Sequence, residues 1–118
     1  SNRAPAMLVS FLERKLKYHG LKLKKVNTAK VKASQYNHFD DTYTKKSLNK
    51  RWHDFNGIKV QRDLYSSFLL MNMIDDKNLD KIDRDLCFKT FDLFLQHHDE
   101  LISKLKKDPH TLKSMGIR

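Results

Sequence analysis

Cysteine, glycine and proline are scarce in this chain, with one, three and two residues respectively among 118. A lone Cys87 excludes a disulfide framework and any zinc cluster built on several thiolates, and it fits a reducing compartment. Glycines stand only at positions 20, 57 and 116, so no glycine-rich loop can cradle a phosphate, and nucleotide hydrolysis drops out. No apolar run approaches the roughly 18 to 20 residues that span a bilayer, and the N-terminus lacks the basic-then-apolar layout of a secretion signal. A cytoplasmic protein without a membrane partner is expected. Ser66-Ser67, Cys87 and His97-His98 lack the context of a nucleophile elbow or an oriented base, which argues against acyl-transfer chemistry.

What the chain does have is lysine and enough apolar residues, 39% including 10% aromatics, for one modest core. Its formal charge of +10 is unevenly spread. Up to Arg62 there are 15 Lys/Arg against 4 Asp/Glu, whereas from Asp63 onward there are 9 against 10. Clustered positive charge steers and neutralises a polyanion, while a solvated lysine face is the plainer explanation.

Hydrophobic spacing divides the chain into elements. Leu8, Phe11, Leu12 and Leu16 predict an amphipathic helix over Met7 to His19 that ends at Gly20. Leu21, Leu23, Val26 and Val31 predict a strand with one basic face. Ala33 to Gly57 reads as a long polar loop holding one short helix around Lys46 to His53. Ile58 and Val60 suggest a second short strand, followed by a helix over Arg62 to Met73. Cys87, Phe91, Phe94, His98, Leu101 and Leu105 form a heptad-like seam on a helix from Asp83 to Lys107, stopped by Asp108-Pro109. The expectation is a helix-dominated α+β chain. Residues 1–6 read as a cloning remnant, 7–74 as one unit and 75–118 as a helical tail.

One segment carries a family resemblance. Val60-Gln61-Arg62-Asp63-Leu64-Tyr65 through Asn72 places an Arg-Asp pair at the start of a helix, directly after a strand. It resembles the third carboxylate motif of TnpB/OrfB-type insertion-sequence proteins, transposon-encoded bacterial relatives of RNA-guided nucleases. Leu8 to Gly20 resembles that family's preceding helix, Leu21 to Asn27 its next strand, and Ala33-Ser34-Gln35 its approach to a zinc ribbon. Asn37, Asp40, His53 and Asn56 stand where the ribbon's cysteines would be, so the zinc site is lost, although the turn at Gly57 is kept.

The resemblance implies the C-terminal fragment of an RNase H-like (RuvC-type) fold with a degenerate zinc-ribbon loop. It also implies a metal-dependent nuclease or transposase as the intact parent, using Mg2+ or Mn2+ and acting on DNA with a guide RNA. Two-metal phosphodiester cleavage needs several converging carboxylates. By resemblance Asp63 would be the catalytic and metal-binding one here, the others lying upstream, so the fragment alone is expected to hold no cofactor and to cut nothing. The alternative for Asp63 is helix capping.

For nucleic-acid contact the candidates are Lys22, Lys24, Lys25, Lys30, Lys32, Lys45, Lys46, Lys50, Arg51 and Arg62 on phosphates, with Tyr36 and Tyr43 stacking on unpaired bases. Trp52 and Phe55 more naturally pin the loop to the core, and His38 and His53 read as surface residues. The terminal seam packs within the chain or, alternatively, mediates self-association. A non-catalytic basic nucleic-acid-binding module and a helical protein-interaction domain are the competing functions.

Overall fold

The computed structural model describes residues 3–21, 33–45, 51–73 and 81–105. Helix α1 spans Arg3–Tyr18, β1 Tyr36–Asn37, β2 Thr42–Tyr43, β3 Trp52–Phe55, β4 Ile58–Gln61, α2 Arg62–Met71 and α3 Arg84–Leu105, with a 3-10 turn at Ala33–Gln35 before β1. The strand expected over 21–31 lies almost wholly outside the described residues, as do positions 46–50 of the expected short helix.

Helix α1 begins earlier than its apolar spacing suggested, at Arg3, with Pro5 in the first turn where a missing N–H costs little. Leu8, Leu12 and Leu16 recur every four residues and are buried, while Met7, Phe11 and Tyr18 leave an exposed apolar stripe. The helix ends in a Schellman arrangement. Gly20, at φ +94°, donates to the Lys17 carbonyl and Leu21 donates to that of Leu16.

The segment 33–57 departs most from expectation, because its described residues carry one antiparallel hairpin and the first strand of another in place of a long loop, the return strand being the one expected at Ile58 and Val60. In the first, Tyr36 pairs with Tyr43 and Asn37 with Thr42. In the second, Trp52 pairs with Gln61 and Phe55 with Ile58 around a two-residue Asn56-Gly57 turn. Both turn residues have positive φ, +53° and +92°, the twist that a two-residue hairpin favours. Trp52 and His53, expected in a helix, are in β3.

β4 runs straight into α2, whose Leu64, Tyr65, Phe68 and Leu69 are fully buried. Asp83 caps α3 by accepting from the Leu86 N–H at 3.1 Å, and Cys87, Phe91, Phe94, His98 and Leu101 face inward. Phe68 stacks on Phe94 with ring centroids 4.5 Å apart. The described seam residues of α3 thus pack within the chain, the first of the two arrangements expected for them. Residues on both sides of the expected boundary at 74 share this one core. Buried Asn72 ties α2 to α3: its carbonyl accepts from the Asp83 N–H at 2.6 Å and its side-chain oxygen from Thr90 at 3.1 Å.

Candidate active-site junction

The turn from β4 into α2 brings together residues that the sequence singled out separately. Asp63 is half-buried in the first helical turn. The cap, however, is Gln61: its Oε1 accepts from the Leu64 N–H at 2.9 Å. Its Nε2 donates to Asp63 Oδ2 at 3.0 Å, so one glutamine both closes the helix and holds the carboxylate. The Arg62 N–H donates to the Arg51 carbonyl at 2.8 Å, which sets exposed Arg51 and half-buried Arg62 at the same end of the second hairpin as Asp63. The backbone pairing thus brings two arginines to this end of the hairpin, and guanidinium groups form the stronger, charge-assisted hydrogen bonds to phosphate.

His98 completes the junction from below. The Gln61 N–H donates to His98 Nε2 at 3.0 Å, and His98 Nδ1 lies 2.9 Å from Asp99 Oδ1. With Nε2 accepting, the ring is neutral and its proton sits on Nδ1. Burial holds His98 below the ordinary histidine range despite the Asp99 carboxylate. Trp52 meets this ring edge-on at 5.9 Å.

The other basic candidates are divided. Lys45 is exposed after β2, whereas Lys22, Lys24, Lys25, Lys30, Lys32, Lys46 and Lys50 lie outside the described residues. Tyr43 is 54% exposed, with its ring 4.9 Å from that of Tyr36. Tyr36 is not available for stacking on bases, because it is a core residue at 3% exposure whose hydroxyl donates to Asp41 at 2.7 Å. Burial, then Asp41, raise its pKa.

Three of the four positions that resemble former zinc ligands do converge. Asn37, Asp40 and Asn56 line one open cleft of about 550 Å³ between the two hairpin turns, along with Asp54. Asn37, Asp40 and Asp54 each accept a backbone N–H of their own turn, from Phe39, Thr42 and Gly57. Their oxygens shape the turns. His53 is turned away into the core, stacked on Phe55 and edge-on to Tyr65.

His38 is also in the core and not on the surface. The Tyr65 hydroxyl accepts from the His38 N–H at 3.0 Å and meets its Nδ1 at 2.6 Å. Arg84 clamps the same turn by donating to the His38 and Phe39 carbonyls, both at 2.6 Å. Burial, followed by the Arg84 cation, lowers the His38 pKa to about 4.

Among the described residues no group of three or more His, Cys, Asp or Glu could hold a metal ion. Asp63 by itself does not fit the multi-carboxylate site that two divalent ions need, so no chemical step through a metal follows from these residues. No protein family, curated protein or solved structure matches the chain.

Proposed function

We propose that this chain is the C-terminal portion of a transposon-encoded, TnpB-like nuclease of RNase H-like fold, which grips nucleic acid and offers Asp63 to an active site completed elsewhere in the parent. The observation that carries the reading is the junction itself. Asp63 opens a helix directly after a strand, is relieved of capping by Gln61, and stands beside Arg62 and Arg51. Two further features support it. The paired hairpin turns meet where the resembling family carries metal-binding cysteines, and the exposed Met7, Phe11 and Tyr18 give α1 an apolar stripe of the kind a larger domain would cover. DNA and a guide RNA would be the parent's partners. The lone carboxylate favours one second reading, a non-catalytic basic nucleic-acid-binding module.

Nucleic-acid binding is tested by fluorescence anisotropy with a labelled single-stranded oligonucleotide across a salt series. Each neutralised phosphate contributes about 0.7 to the slope of log K against log salt, so Lys22, Lys24 and Lys25 changed together to Ser should flatten it by about 2. An unchanged slope refutes their role. In the intact parent, Asp63→Asn should abolish magnesium- or manganese-dependent cleavage while sparing binding; undiminished cleavage leaves the binding-module reading.

A further inference from the structure

We propose that His98, on the tail helix α3, is a positioning residue for Asp63, acting through Gln61. The inference rests on the nuclease reading of Asp63 for its purpose and on hydrogen-bond geometry for its substance. Gln61 has two jobs that pull on one side chain, accepting from the Leu64 N–H and donating to Asp63 Oδ2. A side-chain amide holds both bonds together only where its backbone is fixed, since Oε1 and Nε2 diverge at a set angle of roughly 120° from one planar carbon and each must meet its partner within hydrogen-bond tolerance.

The fix comes from His98. Gln61 is the last residue of β4, and its N–H donates to His98 Nε2 at 3.0 Å. Both residues are buried, at 0% and 1% exposure, so water does not replace that bond. The ring's orientation is itself set, by Asp99 at Nδ1 and by the edge of Trp52. Asp99, His98, Gln61 and Asp63 therefore form one hydrogen-bonded line from the tail helix to the candidate carboxylate. The line ends at Asp63 Oδ2 and leaves Oδ1 outside it.

The experiment uses the full chain and reads the Asp63 side chain directly. Three-bond couplings from Asp63 Cγ to its backbone N and carbonyl carbon report whether χ1 is held in one staggered well or averaged over several. The wild type should give single-rotamer values. His98→Phe keeps a ring of similar size in the core and removes the acceptor, and its Asp63 couplings should move to averaged values. His98→Gln returns an acceptor near the position of Nε2 and should restore single-rotamer values, a rescue that packing alone does not predict. Single-rotamer couplings in His98→Phe, with amide shifts showing the fold intact, overturn the proposal. So does averaging in the wild type. Should His98→Phe not fold, averaging that persists in His98→Gln overturns it as well. The nuclease reading fails separately, if the wild-type chain shows no salt-dependent binding of the oligonucleotide whatever the couplings do.

Discussion

Acid should weaken this fold in a way that traces to one ring. His38 is fully buried, with Nδ1 receiving the Tyr65 hydroxyl and the turn's carbonyls held by Arg84. Its pKa falls from 6.5 to about 4 in the folded chain, first through burial and then through the Arg84 cation. Because the folded value lies below the unfolded one, the unfolded chain takes up the proton first. The stability tied to neutral His38 is complete above pH 6.5, declines as pH falls toward 4, and is lost below it. At about 1.4 kcal/mol per pH unit, the loss across that window is about 3 kcal/mol, a large share of what a small domain has. Urea unfolding followed by far-UV circular dichroism at steps between pH 7.5 and 4 measures it. His98, also lowered by burial, contributes in the same direction, so the informative quantity is the difference between the wild type and His38→Phe. That variant should lose about 3 kcal/mol less over the same window, whatever its stability at neutral pH. Parallel curves for the two proteins would refute the assignment.

Other perturbations test the frame around the junction. Gly57→Ala must place a side chain at φ +92° in the second hairpin, and although nothing lies within 4 Å of the added carbon, the backbone strain should cost about 1 kcal/mol in urea unfolding; a neutral result would show that the turn relaxes. Asn72→Ala removes the amide that donates to the Phe68 carbonyl and accepts from Thr90, both in buried or half-buried surroundings, and should cost about 2 kcal/mol by the same measurement. Cys87 is buried with its thiol pushed up to about 12 by burial, so it should react with a thiol reagent only as fast as the chain opens, and urea should accelerate the reaction by orders of magnitude; rapid labelling of the native protein would contradict its placement.

Periodicity made the helices legible. Four-residue spacing of leucines located α1, and the alternating seam located α3, because in both a continuous apolar stripe has to meet one core. The hairpins were harder to see, since β1 and β2 are two residues each and a period of two cannot show in two residues. A signal for the second hairpin was nevertheless present: Phe55-Asn56-Gly57-Ile58 is an Asn-Gly turn between apolar residues. It was masked by the polar character of the surrounding segment. The burial of His38, His53 and Tyr36 was not legible at all. It depends on partners distant in sequence, such as a Tyr65 hydroxyl 27 residues away, and composition carries no trace of such a pairing. At the candidate site the Arg-Asp step was visible. The division of labour that gives the cap to Gln61 rather than Asp63 was not, because glutamine is an unusual cap and its bond to the Leu64 N–H forms only in the folded chain.

The same contacts change what the last helix is for. As a sequence, the stretch after residue 74 looks like an addition to a basic nucleic-acid-handling unit, its charge balanced and its seam available. In the fold it supplies Cys87, Phe91, Phe94 and Leu101 to the core that α1 and α2 also build, while Asp92, Asp99 and Glu100 remain exposed on its outer side. The exposed charges of α3 are mixed, Asp85, Asp92, Asp99 and Glu100 alongside Lys89 and Lys104, whereas Arg14, Lys15 and Lys17 are exposed on α1. Through His98 the last helix also reaches the Gln61–Asp63 turn. A tail that both finishes the core and fixes the junction cannot be trimmed to isolate the basic half, since removing it strips the aromatic packing and the acceptor for Gln61 together.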